Sequence, residues 1–178
     1  MMVAGATFGV TSPALADERV CRGTIGAVSI DGDIKVPQNA TCVLSGTRVD
    51  GNIKVYAGAT LQAKNVRVNG NVQAENAKQV DVLAGSTVGG SIQVKQGGGA
   101  RVNGVRVIGD IQFEQNTRAL AATRNTVGGN IQVFSNTGGV TISSNTVDGN
   151  LQCKSNRPAP TGSGNIVDGN KEDQCSRL

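Results

Sequence analysis

Apolar and polar residues alternate along this chain in short stretches that recur about every twenty residues. Each stretch centres on a glycine followed by Asn, Asp or Ser and then by an aliphatic residue, as in Gly51-Asn52-Ile53-Lys54-Val55. Apolar residues stand two positions before that glycine and two and four positions after it, which is the alternation of a β-strand. No stretch keeps the 3.6-residue periodicity of a helix over a useful length. The pattern therefore predicts an all-β protein.

This glycine-centred phrase occurs eight times at a nearly constant spacing. Successive phrase glycines are 19, 19, 20, 19, 20, 20 and 20 residues apart. They are Gly32, Gly51, Gly70, Gly90, Gly109, Gly129, Gly149 and Gly169. A second apolar pair, such as Leu61 and Ala63, comes nine and seven positions before the later glycines. A period held over so many copies indicates a repeat architecture with two or three short strands in each repeat.

Polar residues recur at the same period and form columns, meaning residues at the same position of successive repeats. The position three after the glycine holds Lys35, Lys54, Gln73, Gln93, Gln112, Gln132, Gln152 and Glu172. The position one after it holds Asp33, Asn52, Asn71, Ser91, Asp110, Asn130, Asn150 and Asn170. A third column, which we also place outward, holds Asn125, Asn145 and Asn165. Repeated amides can hydrogen-bond to one another if successive coils stack in register, so the columns favour a parallel β-helix.

An antiparallel meander is the alternative fold, because Asp50-Gly51 and Asn69-Gly70 are also hairpin turn signals. The spacing of the four cysteines favours the β-helix. Cys21 and Cys42 are 21 residues apart, and Cys153 and Cys175 are 22 apart. Residues one period apart lie on adjacent coils of a β-helix, close enough for a disulfide, whereas another strand separates them in a meander. Of the three possible connectivities we predict Cys21–Cys42 and Cys153–Cys175.

The predicted domain is thus a single parallel β-helix over residues 17–178, with about eight coils, a 19–20-residue period and a disulfide at each end. Residues 1–16 differ from it, because they carry no charge and end in Ala14-Leu15-Ala16. This is typical of a secretory signal peptide, although a basic n-region is lacking; an apolar first strand is the alternative. The apolar run is too short for a transmembrane segment. Paired cysteines agree with an oxidising compartment, so we expect a secreted protein, extracellular or in the cell envelope.

The composition provides few groups for catalysis. The chain has no histidine, which excludes Ser-His-Asp and Cys-His arrangements and histidine metal sites. Asp31, Asp33 and Asp50 lie close together in the first two coils, where they could bind calcium or form a carboxylate pair for sugar chemistry. Aspartate beside glycine is, however, a common turn residue. We therefore predict no catalytic residue, no cofactor and no metal site.

A candidate basic stripe follows from the charge pattern. The net charge is +4, and the segment from Lys54 to Arg124 contains nine basic and four acidic residues. Arg48, Arg67 and Arg106 share the position three before the phrase glycine. This stripe would suit an anionic cell-wall or extracellular polysaccharide, a teichoic acid-like polymer or a membrane surface, and the alternative is an ordinary soluble coat. Secretion and the lack of surface aromatics weigh against nucleic acid as a partner.

The Val-x-Gly-Asn-Ile-x-Val copies over residues 28–173 resemble right-handed parallel β-helix proteins in the style of the pectate-lyase-like superfamily. The Gly-Asp-Ile and Gly-Asn-Ile turns resemble those of bactofilins and related bacterial polymer-forming β-helices. The first resemblance implies a calcium–aspartate cluster and a catalytic arginine in a long cleft, and the second implies a cytosolic filament.

From the repeat style and the leader we expect a small secreted bacterial β-helix, monomeric and non-enzymatic. It would be structural or surface-associated and would act by presenting its polar columns. The alternative is a polysaccharide-binding or lyase-like β-helix. Against it weighs the shortage of aromatic residues, since tryptophan is absent and the chain has one tyrosine and three phenylalanines. Few aromatics leave no obvious platform for stacking sugars.

Overall fold

The computed structural model describes residues 18–178, which form short β-strands and, within that range, no helix. The predicted signal peptide, residues 1–16, lies outside the described residues. In chain order the strands are β1 (Arg19–Val20), β2 (Gly23–Ile25), β3 (Ser29–Ile30), β4 (Ile34–Val36), β5 (Thr41–Ser45), β6 (Arg48–Val49), β7 (Ile53–Val55), β8 (Thr60–Lys64), β9 (Arg67–Val68), β10 (Val72–Glu75), β11 (Gln79–Leu83), β12 (Thr87–Val88), β13 (Ile92–Lys95), β14 (Gly99–Asn103), β15 (Arg106–Val107), β16 (Ile111–Glu114), β17 (Leu120–Thr123), β18 (Thr126–Val127), β19 (Ile131–Phe134), β20 (Val140–Ser143), β21 (Thr146–Val147), β22 (Leu151–Lys154), β23 (Ile166–Val167) and β24 (Lys171–Asp173).

These strands form three parallel sheets, because each strand pairs with the strand three places further along the chain until the last coil. The first sheet has nine strands in the order β1-β4-β7-β10-β13-β16-β19-β22-β24. The second sheet has seven, from β2 to β20, and the third has eight, from β3 to β23. The chain therefore winds as a three-sided parallel β-solenoid of about eight coils. The antiparallel alternative is wrong.

The register of the sheets reproduces the sequence period. In the first sheet Ile34 pairs with Ile53, and Ile53 pairs with Val72. In the first seven repeats the aliphatic residues two positions after the phrase glycine form a fully buried stack; they are Ile34, Ile53, Val72, Ile92, Ile111, Ile131 and Leu151. Burial of each such side chain stabilises the fold by about 1.5–3 kcal/mol relative to exposure. Stacked aliphatics therefore fill the bore, and a single aromatic side chain, Phe113, lies in the described core.

The glutamine column forms the predicted ladder on the outer face of the first sheet. Each amide Nε2 donates to the Oε1 of the next coil, at 3.4 Å for Gln73 to Gln93 and at 2.9–3.0 Å for the later rungs. The last donor, Gln152, bonds to the carboxylate of Glu172 at 2.9 Å. In the neighbouring column that begins at Asp33, each side-chain oxygen accepts the main-chain N–H of the next coil. Both columns thus link coil to coil.

The sequence led us to place the third asparagine column on the outer surface, and that prediction is wrong. Asn125, Asn145 and Asn165 are all buried. Asn145 Nδ2 donates to the carbonyl of Ala122 at 2.8 Å, and its Oδ1 accepts the main-chain N–H of Asn125 at 3.0 Å. The chain turns a corner here and leaves backbone groups without strand partners. Because an unpaired backbone group inside the protein is costly, the amides turn inward to satisfy it.

A second buried asparagine column was missed from the sequence. It lies at the corner between the first and second sheets and comprises Asn116, Asn136 and Asn156, all 2% exposed or less. Gln174 closes this column, because its Oε1 accepts from the main-chain N–H of Asn156 at 2.9 Å. In earlier coils the same corner is filled by Ala77 and Gly97. The corner is therefore packed by small residues in early coils and by hydrogen-bonded amides in late ones.

Left-handed backbone makes the sharp corners possible. At the corner before the third sheet, φ is 67° at Gly104, 55° at Arg124 and 57° at Ser144. A residue with a Cβ pays about 1–2 kcal/mol for that conformation, which glycine adopts freely. Gly85, with φ of 84°, could not be replaced easily, because an added Cβ would also meet the side chain of Asn65 in the preceding coil. Stacked coils thus restrict the residue type at each corner.

Both predicted disulfides are present, and they link neighbouring coils near the two ends of the described solenoid. The Cα atoms are 5.5 Å apart in Cys21–Cys42 and 5.2 Å apart in Cys153–Cys175. Each closes a loop of about twenty residues, which is worth roughly 3 kcal/mol in the chain-entropy model. The charged segment Lys171-Glu172-Asp173 forms the last strand of the first sheet. Lys171 Nζ donates to the carbonyl of Asn165 at 2.9 Å.

Candidate functional site

The predicted basic stripe lies in one column on the outer face of the third sheet. Arg48 pairs with Arg67, so the two arginines occupy adjacent coils. Thr87 separates Arg67 from Arg106, which is therefore two coils further along. All three arginines are exposed. At an inter-strand spacing of about 4.8 Å, the stripe from Arg48 to Arg106 spans about 14 Å.

None of the ion pairs among residues 18–178 involves the three arginines of the stripe. Beside Arg48 and Arg67 the surface dips into a depression of about 220 Å³, which is also lined by Gly46, Asn65 and Gly85. The lining is mostly polar, and Gly46, Asn65 and Gly85 are left-handed corner residues. Within residues 18–178 the stripe thus combines arginines that form no ion pair with a shallow recess.

The three aspartates near the start of the solenoid do not form a metal site. Within residues 18–178 no group of three or more Asp, Glu, Cys or His side chains is arranged to hold an ion. Asp33 Oδ1 accepts the main-chain N–H of Asn52 at 2.7 Å, and its other oxygen lies 2.6 Å from Lys54 Nζ. These two contacts, the backbone bond first, lower the pKa of Asp33 below its ordinary value of 3.8. Asp50 accepts from the amide of Asn69 at 3.0 Å. Asp33 and Asp50 thus each bond to the following coil.

One carboxylate on the second sheet is nearly buried. Asp81 is 5% exposed, and it accepts hydrogen bonds from Gln79 at 2.7 Å and from Arg101 at 3.1 Å. Its two oxygens are thus both occupied by neighbours on the same sheet. All four cysteines are in disulfides. Among residues 18–178 no cysteine thiol is therefore free, and the carboxylate of Asp81 is engaged by its neighbours.

A groove that sequence reasoning missed runs along the glutamine ladder of the first sheet. It consists of a depression of about 350 Å³ beside Tyr56, Gln73 and Gln93, and a second of about 150 Å³ beside Gln132 and Phe134. Lys95 lines both depressions, so they adjoin. We call this surface the ladder groove. Its floor is the amide ladder, and one wall is the column five positions after the phrase glycine.

The wall of the ladder groove contains the aromatic residues that the composition seemed to lack. Tyr56 and Phe134 both stand five positions after a phrase glycine, and the structure places them in one column with Glu75, Lys95 and Glu114. Tyr56 is 41% exposed. The composition alone therefore did not show that two of the few aromatic residues share one column on this face. The signal was available in the sequence, because the shared offset from the glycine predicts a shared face once the coils stack.

No family model, curated protein or solved structure matches this chain. The resemblance to pectate-lyase-like proteins and to bactofilins therefore stays one of repeat style, and the solenoid fold is what the structure establishes. No helix in residues 18–178 is long and apolar enough to cross a membrane. The two disulfides are compatible with an extracellular location.

Proposed function

We propose that this protein is a secreted, non-enzymatic β-solenoid that acts as a structural or surface-associated element by presenting repetitive polar columns. The observation that carries the proposal is the coil-to-coil hydrogen bonding of side chains that are at least partly exposed, above all the ladder from Gln73 to Glu172. A side chain held by its neighbours has already lost most of its rotamer freedom. Binding then costs less entropy than it would on an ordinary flexible surface.

The spacing of these side chains also supports a polymeric ligand. Each rung of the ladder repeats at the inter-strand distance of about 4.8 Å, and the same groups recur in the same orientation. Such a surface offers equivalent contacts at regular intervals, which suits a partner that is itself repetitive. Weak contacts repeated along the solenoid can together give a high affinity, because each bound unit raises the effective concentration of the next, and no deep pocket is needed.

The test is to incubate the purified protein with insoluble cell-wall preparations and insoluble polysaccharides, and to measure both co-sedimentation and product release. We expect the protein to co-sediment with at least one of these polymers and to leave it intact. Release of reducing ends or unsaturated sugars would contradict the non-enzymatic role. Failure to co-sediment with any of them would contradict surface association. Bovine serum albumin carried through the same steps measures trapping of unbound protein.

The basic stripe supports a second candidate, which is binding of an anionic polysaccharide. Arg48 and Arg67 are exposed, adjacent and free of ion pairs within residues 18–178. Retention on a heparin column tests it, with the double variant Arg48→Gln/Arg67→Gln against the control Lys154→Gln/Arg177→Gln. Both variants remove two exposed charges. If the stripe binds heparin specifically, the affinity of Arg48→Gln/Arg67→Gln should fall by up to about fivefold per arginine, while the control variant should bind like wild type. Equal losses of affinity in both variants would indicate general attraction by net charge.

A further inference from the structure

We propose that the ladder groove binds a neutral linear polysaccharide, with Tyr56 and Phe134 as stacking platforms at its two ends. This inference rests on the proposed function and deepens it by naming the face and the ligand class. It differs from the anionic ligand predicted for the third sheet, which lies on another side of the solenoid.

The shape of the ladder groove suits an extended chain. Tyr56 follows β7 and Phe134 ends β19, and the first sheet places three strands, β10, β13 and β16, between them. Four coil steps of about 4.8 Å separate the two rings by about 19 Å along the rod. The two depressions adjoin at Lys95 and lie between the rings. A ligand that fills both must be long, narrow and nearly straight.

The hydrogen-bonding groups of the floor suit hydroxyls. A glutamine amide has two N–H donors and an oxygen with two lone pairs. Within the ladder, Gln93 and Gln112 each use one donor toward the next coil and one lone pair toward the preceding coil. One donor and one lone pair per coil are left for a ligand. A sugar hydroxyl both donates and accepts, so it can match such a pair at each rung.

The two rings supply apolar contact of the kind that binding sites combine with a few polar groups. Of the four aromatic residues, Phe8 lies outside the described residues and Phe113 is buried, so Tyr56 and Phe134 are the two that reach this surface. Lys35 Nζ lies 5.3 Å from the centroid of the Tyr56 ring. Lys35 belongs to the preceding coil, whereas the groove extends over the following coils, so this cation–π contact supports the ring from the side away from the groove.

The charge balance of the ladder groove favours a neutral ligand. The two lysines of its lining are already in ion pairs, Lys54 with Asp33 at 2.6 Å and Lys95 with Glu114 at 3.1 Å. The glutamines are uncharged, and the remaining charge of the lining is the carboxylate of Glu75. A polyanion would meet no free cation here and would be repelled by Glu75. A neutral polymer meets no such penalty.

The experiment is affinity electrophoresis in native gels that contain a soluble neutral polysaccharide: mixed-linkage β-glucan, xyloglucan or dextran. Carboxymethyl cellulose serves as the anionic comparison, and it is tested on the Arg48→Gln/Arg67→Gln variant so that the basic stripe of the third sheet does not contribute. We expect at least one neutral polymer to retard that variant more than carboxymethyl cellulose does. Tyr56→Ala should weaken that binding by about fivefold to tenfold, because it removes a stacking ring. Tyr56→Phe keeps the ring and should bind like wild type, and so should Arg48→Gln on the third sheet.

Folding is controlled separately. Tyr56 is exposed, so its replacement should leave the melting temperature unchanged, while Phe134→Leu retains apolar packing and removes only the ring. Loss of binding by both variants with normal melting supports the inference. Absence of retardation by all neutral polymers, or binding that both variants retain, overturns it. Either result leaves the proposed function standing if the protein still co-sediments with an insoluble polymer without degrading it.

Discussion

Asn136 lies inside the corner between the first and second sheets and joins three coils. Its Oδ1 accepts the main-chain N–H and the side-chain amide of Asn116, at 2.9 and 3.0 Å. Its Nδ2 donates to the carbonyl of Phe113 at 2.9 Å and to Asn156 Oδ1 at 3.0 Å. The side chain is completely buried. The substitution Asn136→Ala therefore removes four hydrogen bonds at a site that water does not reach.

The cost follows from the groups left behind. The main-chain N–H of Asn116 loses its acceptor, and the carbonyl of Phe113 loses the amide that bonds to it. Each buried polar group without a partner costs about 1–3 kcal/mol, so Asn136→Ala should lower the free energy of unfolding by about 2–6 kcal/mol. That is a large fraction of the 5–15 kcal/mol typical of a folded domain.

Gln132 provides a matched control, because it lies in the same coil and also bonds to equivalents in both neighbouring coils. It is only partly buried, so water can replace its amide, and Gln132→Ala should cost less than about 1 kcal/mol. Urea denaturation followed by circular dichroism compares the two variants. Hydrogen exchange at the Asn116 amide, which should speed up in Asn136→Ala alone, tests the local cause. Equal destabilisation by both variants, or an unchanged Asn116 amide, would refute the argument that burial sets the cost.

Three further predictions concern other parts of the chain. Arg124→Gly should raise stability by about 1 kcal/mol in urea denaturation, because φ at this position is 55°; a loss would show that the arginine side chain matters more than backbone strain. The pKa of Asp33 is lowered by the Asn52 N–H and by Lys54, so its stabilising effect is complete above pH 3.8 and is lost as pH falls through the lower folded-state pKa. Asp33→Asn should therefore flatten the decline in melting temperature between neutral pH and about pH 2.5, and an unchanged slope would contradict this. Peptide mapping of the exported protein should give Asp17 as its first residue, whereas an intact leader would contradict the predicted cleavage.

Much of the fold could be predicted because two periodicities are visible in one chain. The two-residue alternation identifies the inward side chains, and the phrase spacing fixes which residues pair. Ile53 and Val72 could therefore be placed side by side, and the cysteine spacing could be translated into contacts. The glutamine ladder followed from the same register. None of these steps required knowledge of side-chain packing.

The features that sequence reasoning missed depend on where the backbone loses its partners. Asn145 is polar and recurs with the period, so it was placed outward; only the unpaired carbonyl of Ala122 explains its burial. Likewise, Tyr56 and Phe134 are 78 residues apart and look isolated until the coils are stacked. Arg48 and Arg67 were placed correctly in one column. The sequence could not show that neither of them forms an ion pair within residues 18–178.

The hydrogen bonds of the glutamine ladder all point in one direction along the solenoid. Every Nε2 points toward the coil that follows, and the last one meets the carboxylate of Glu172. Aligned amide dipoles add along the solenoid as peptide dipoles add along a helix, so the positive end of the ladder dipole lies at Glu172. In the column that begins at Asp33 the side-chain amides point the other way, and they offset part of this dipole. A polymer with two different ends can lie on this face in two opposite orientations, and these orientations are not equivalent. The surface therefore distinguishes the direction of a bound chain.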